Sequence, residues 1–140
     1  MEPEIIREKF IEYFGFDQYK KFVLSLYEAF PLRDRFLFWQ EQMLKKFCEQ
    51  FKIKQITYEE VHSIFNRCPL HQVKLKKDNV PIVDGNKHCN VVFNQTANSL
   101  FPFSNVNAPR DLERFVYAKE VEVYYCQECR NKLMDVLAEE

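Results

Sequence analysis

Apolar side chains recur at helical spacing through the first 66 residues and at strand spacing only further along the chain. Ile5, Ile6, Phe10, Tyr13 and Phe14 follow a helical period, and Gly15 is placed to stop the helix. Asp17 is placed to cap a second helix. Its stripe of Tyr19, Phe22, Val23, Leu26, Tyr27 and Phe30 falls at i, i+3, i+4, i+7, i+8 and i+11, and Pro31 ends it. A third helix is expected from about Asp34 to Phe51, burying Phe36, Trp39, Met43, Leu44, Phe47 and Cys48. A fourth starts at Thr57, which forms a capping box with Glu60 and turns Val61, Ile64 and Phe65 inward. Burial in a helix bundle accounts for so many aromatic side chains without a ligand pocket.

The texture changes at Cys68. Gln72–Lys76 and Asn79–Val83 read as short strands around a turn at Lys77–Asp78. Residues 84–110 carry turn formers throughout, Asn94, Asn98, Asn105 and Asn107 among them, and read as a long irregular loop. In Phe115–Tyr125, Val121, Val123 and Tyr125 alternate with Glu120, Glu122 and Tyr124, the period of a strand. After Cys129 the pattern returns to helix, with Leu133, Met134 and Leu137 on one face. The expected fold class is α+β: a helical region over 1–66, then a small β subdomain with a C-terminal helix over 67–140.

Charge narrows the function classes. The net charge is -1, and residues 1–66 carry ten basic and eleven acidic side chains against ten of each in the remainder. Neither half has the basic footprint of a nucleic-acid binder, and Lys74, Lys76 and Lys77 read as a solvated strand edge. Only two glycines are present, which excludes a Gly-rich phosphate loop. MEPEIIREKF lacks a basic stretch followed by an apolar one, so no secretory signal is expected. No apolar run reaches membrane-spanning length, and no membrane partner is expected. Five cysteines, an odd number, without a secretion signal suggest reduced thiols in the cytoplasm.

Those thiols hold the candidate chemistry. Cys68-Pro-Leu-His71 and Cys126-Gln-Glu-Cys129 share a two-residue gap. Such a gap lets one tight turn aim two side chains at one ion, and two turns supply the four ligands of a structural zinc site. The long separation from His71 to Cys126 is no obstacle. Loop closure costs grow only logarithmically, whereas structural zinc is worth on the order of 10–16 kcal/mol in small peptides. Three thiolates and a neutral imidazole leave one net negative charge on the occupied site, which Arg67 and Arg130 are placed to offset by donating to the sulfurs. Other assignments stay open. Cys126 and Cys129 can be a redox pair opening a helix, or core residues. His88 or Cys89 can replace one ligand, or complete a catalytic site with an open position. His62 lies off its helix's apolar stripe and reads as a surface histidine.

CPLHQVKL (Cys68–Leu75), VPIVDG (Val80–Gly85), LFPFSNVNAP (Leu100–Pro109) and YYCQECR (Tyr124–Arg130) together resemble a widespread group of small uncharacterised bacterial proteins with a zinc-ribbon-like pattern. The resemblance covers the C-terminal half only. It implies Cys68, His71, Cys126 and Cys129 as metal ligands and brings no reaction with it. Gln72 stands where the pattern has glycine, implying a different backbone geometry in the first turn, and Asp84 stands where it has tyrosine. The combined expectation is a bacterial, cytoplasmic, zinc-stabilised module for protein–protein interaction, with toxin neutralisation or an adaptor role as its setting and no catalytic residues. Nucleic-acid binding by a zinc ribbon and hydrolysis at an open zinc site are the alternatives.

Overall fold

A computed structural model describes residues 1–27, 35–83, 100–106, 108–109 and 119–138 of the chain. Helix α1 (Pro3–Phe14) has proline in its first turn, where the missing N–H costs nothing. It ends at Gly15, whose φ of 88° lies in the region that favours glycine and whose N–H donates to Ile11 O (2.7 Å). Helix α2 (Phe16–Tyr27) follows at once, and Gly15 O accepts its first bond from Tyr19 N (3.1 Å). Asp17 therefore lies inside the first turn and is not the cap. Phe30 and Pro31 are outside the described residues.

Helix α3 (Phe38–Phe51) starts later than its apolar pattern suggests. Leu37 is extended, and its N–H donates to Gln40 Oε1 (2.8 Å), half of a capping box that a leucine cannot complete. This start rotates the helix: Gln40 is buried at 2% exposure while Trp39, expected inside, is 36% exposed. Gln40 Nε2 donates to Ser25 Oγ (2.8 Å), which donates to Phe22 O (2.6 Å), so the buried amide is satisfied. Leu44, Phe47 and Cys48 are buried as expected, whereas Phe36 and Met43 are only half-buried. The helix stops with Lys52 in the left-handed region (φ 54°), Lys52 N–H donating to Glu49 O (3.4 Å) and Ile53 N–H to Cys48 O (3.0 Å). That is a Schellman motif with lysine where glycine is usual. Helix α4 (Tyr58–Phe65) begins as predicted: Glu60 N–H donates to Thr57 Oγ1 (3.2 Å), and the Thr57 hydroxyl donates to Glu60 Oε1 (3.0 Å).

The chain divides into two compact units, Met1–Pro69 and Leu70–Glu140. In the first, Phe10 is fully buried, with the rings of Phe14, Phe22, Phe47 and Phe65 at 4.7–5.3 Å and Tyr19 at 6.1 Å. Each such side chain gains roughly 1.5–3 kcal/mol from burial, and tilted ring pairs add about 0.5–1.5 kcal/mol. The Arg7 guanidinium donates to Ile64 O (2.6 Å), fastening α1 to the end of α4.

In the second unit, β1 (Lys76–Val83) pairs antiparallel with β3 (Glu120–Tyr125) and, at Ile82 and Val83, parallel with β2 (Ala108–Pro109), giving the order β2-β1-β3. The turn expected at Lys77–Asp78 is absent, because β1 runs through both residues opposite Tyr124 and Val123. Val80, Ile82 and Val123 are buried while Lys77, Asn79 and Pro81 are exposed, a period of two that spans the expected turn. Ile82 N–H donates to Lys119 O (2.9 Å), so alternate N–H groups from Lys76 onward face β3 and the nitrogen of Pro81 faces away from it. Proline therefore takes nothing from the β1–β3 ladder. Helix α5 (Gln127–Ala138) follows β3 and buries Cys129 and Leu133. Helices with a small sheet make the protein α+β. No helix among the described residues is long and apolar enough to cross a membrane.

Candidate metal centre

The first pair of ligands is delivered by the way α4 ends. Asn66, with φ -75° and ψ 56°, is the centre of an inverse γ-turn closed by Arg67 N–H donating to Phe65 O (2.7 Å). The chain turns away from the helix there and reaches the buried Cys68, and a turn over 69–71 carries the half-buried His71. Gln72 then adopts φ 58°. That left-handed conformation favours glycine and is strained for a residue that carries a side chain.

The second pair is delivered by a strand-to-helix junction. Cys126 follows β3 directly, and its N–H donates to Phe103 O (2.9 Å). Its carbonyl accepts from Arg130 N–H (3.1 Å), the first bond of α5, and its sulfur accepts from Cys129 N–H (3.4 Å). Cys126 Sγ thus fills the role of a helix-capping oxygen, at the positive end of the helix where an anionic acceptor is favoured. The two-residue gap places Cys129 one turn on, its thiol aimed at the same point. Both sulfurs are fully buried.

His71 Nδ1 lies 3.5 Å from Cys126 Sγ and 3.5 Å from Cys129 Sγ, and one ligand atom from each of Cys68, His71, Cys126 and Cys129 falls within 4.8 Å of all the others. Zinc–nitrogen and zinc–sulfur bonds of about 2.0 and 2.3 Å at the tetrahedral angle give N···S edges of about 3.5 Å and S···S edges of about 3.8 Å. The distances from His71 Nδ1 to Cys126 Sγ and Cys129 Sγ match the N···S edge, while separations of up to 4.8 Å across the whole cluster mean that the four donor atoms draw together to close on an ion. The cluster's donors, three soft sulfurs and an imidazole, suit zinc or another thiophilic metal and not magnesium or calcium.

The four residues whose spacing marks them as ligands are thus brought together. Arg130 does not take the part expected of it: its guanidinium donates to Ser104 O, Asn105 O and Asp78, and to no sulfur. Arg67 is half-buried. His88 and Cys89 lie outside the described residues. Cys48 is a buried thiol on α3, pushed up in pKa chiefly by desolvation. His62 is half-buried, not a surface residue. Its Nδ1 is 3.3 Å from the Tyr27 hydroxyl, and its ring meets those of Tyr27 (5.5 Å) and Tyr58 (4.9 Å) edge-on. The 100–106 segment was not anticipated as part of the site's surroundings, although the buried Phe101 and Phe103 in LFPFSN are the apolar signal for it. No protein-family model, curated protein or solved structure matches this chain.

Proposed function

We propose that Cys68, His71, Cys126 and Cys129 hold a structural Zn²⁺ ion in a zinc-ribbon-like subdomain, and that the protein works by binding another protein, not by catalysis. The observation that carries the reading is the closed donor set. Four protein ligands within 4.8 Å of one another fill a tetrahedral shell and leave no position for water or substrate. When bound, zinc supplies folding free energy, on the order of 10–16 kcal/mol in zinc-finger peptides. The Cys126 turn orients two thiolates, and His71 offers Nδ1. The sequence resemblance of the C-terminal half points to the same ligands. Balanced charge disfavours a polyanionic partner, while large apolar side chains stand in solvent, Phe38 at 78% and Met134 at 63% exposure. Toxin neutralisation or an adaptor role would be served by such a module.

Mass spectrometry of the native chain is expected to find one zinc, lost in Cys68→Ser and in Cys126→Ser together with cooperative unfolding of the C-terminal half. Co²⁺-loaded protein should keep its spectrum when azide is added, because no position is open. A fully stable, metal-free native protein overturns the zinc reading. Zinc-dependent turnover of ester, amide or phosphoester substrates overturns the non-catalytic one.

A further inference from the structure

Arg130 stands one residue past a metal ligand, and its side chain is only 18% exposed. Its Nε donates to Ser104 O (2.8 Å), Nη2 to Asn105 O (2.9 Å) and Nη1 to Asp78 Oδ2 (2.9 Å), and the guanidinium carbon lies 3.7 Å from the centroid of the Tyr125 ring. These acceptors sit on two segments remote in sequence from the Cys126–Cys129 turn: β1 and residues 104–105. Residues 103–105 hold this region twice more, through Cys126 N–H donating to Phe103 O (2.9 Å) and Asn105 Nδ2 donating to Tyr124 O on β3 (2.6 Å). Asn105 itself is held at φ 39°, a strained conformation for a residue with a side chain. The ion pair with Asp78 is partly in solvent and contributes little alone. The two carbonyl bonds and the stacked ring are what use the planar fork of an arginine.

We propose that Arg130 is a positioning residue of the metal centre: it staples the turn bearing Cys126 and Cys129 to residues 103–105 and to β1, so that two of the four ligands are ordered before a metal arrives. This inference rests on the zinc reading above. A ligand pair free to move would have to be ordered at the moment of binding, and that cost falls on affinity. Groups that orient ligands from behind lower metal affinity by roughly 10–100-fold when removed.

The test is competition for Zn²⁺ against a chromophoric chelator, with Co²⁺ absorption as a second readout. Arg130→Ala is expected to weaken Zn²⁺ binding by about 10–100-fold and to shift the thiolate-to-cobalt bands. Arg130→Lys, which keeps the charge and not the fork, should recover only part. Val123→Ala, a truncation of a buried side chain on β3 that leaves every Arg130 acceptor in place, sets how much affinity follows from lost stability alone. Arg130→Ala matching Val123→Ala in both affinity and spectrum overturns the proposal. Should Arg130→Ala fail to fold, the lysine variant decides: weakened binding supports the staple and unchanged binding overturns it. A native chain that binds neither metal overturns the zinc reading itself.

Discussion

Tyr19 is fully buried, yet its hydroxyl has no hydrogen-bond partner among the described residues. Desolvation pushes its pKa from 10.0 up to about 12; Arg7 and Arg67 oppose the rise and Cys68 adds to it. The folded state therefore holds this proton more tightly than the unfolded chain does. Its contribution is complete below about pH 10 and is lost as pH climbs through about 12, amounting to at most roughly 2–3 kcal/mol. Tyr19→Phe removes both the orphaned hydroxyl and the alkaline sensitivity. Urea unfolding should show unchanged or higher stability at pH 7, by up to about 1–3 kcal/mol, and a flatter decline above pH 10; an unchanged decline would refute the assignment. At this scale the sequence disclosed the candidate ligands, because two residues one turn apart can share a target whatever the fold. It did not disclose where Arg130 reaches, that Gln72 turns left-handed, or that His62 is walled by Tyr27 and Tyr58. Those depend on acceptors and rings distant along the chain.

Among the elements, local signals proved trustworthy where the chemistry is local. Gly15 ends α1 and Thr57 caps α4 through bonds within a few residues. The phase of α3 was less legible. Gln40, Leu44, Phe47 and Cys48 form the buried stripe, and its first member is polar, so Trp39 drew the pattern outward. The turn read into Lys77–Asp78 failed for a related reason. Asp78 has a turn-former's propensity, but here it lies opposite Val123 and pairs with Arg130, and tertiary partners override local preference. Lys52 offers a test of how far local geometry still matters. It occupies the left-handed position ending α3, where a side chain costs about 1–2 kcal/mol and glycine's extra freedom when unfolded returns part of that. Lys52→Gly should raise the urea midpoint by the equivalent of up to about 1 kcal/mol, and a lowered midpoint would show that the lysine side chain contributes more than its backbone costs.

For the whole molecule, the two units differ in what holds them. Met1–Pro69 has a core of interlocked aromatic rings. Leu70–Glu140 has, among the described residues, a small sheet, helix α5 and three of the four candidate ligands. A strong chelator added to the full chain should therefore reduce amide-exchange protection across β1, β3 and α5 while the helical circular dichroism of the first unit persists. Loss of both together, or of neither, would contradict this division. The division into helices and sheet was readable from periodicity alone, whereas the strand pairing β2-β1-β3 was not, since it joins segments far apart in sequence. The placement of Pro81 bears on how the protein behaves when crowded. With its nitrogen turned away from β3, it removes one donor from the side of β1 that meets β2 at Ile82 and Val83. Among the described residues β2 pairs with β1 at those two positions alone, so a foreign strand laid along β1 ahead of them would find one donor fewer, which disfavours fibril-like stacking at high concentration.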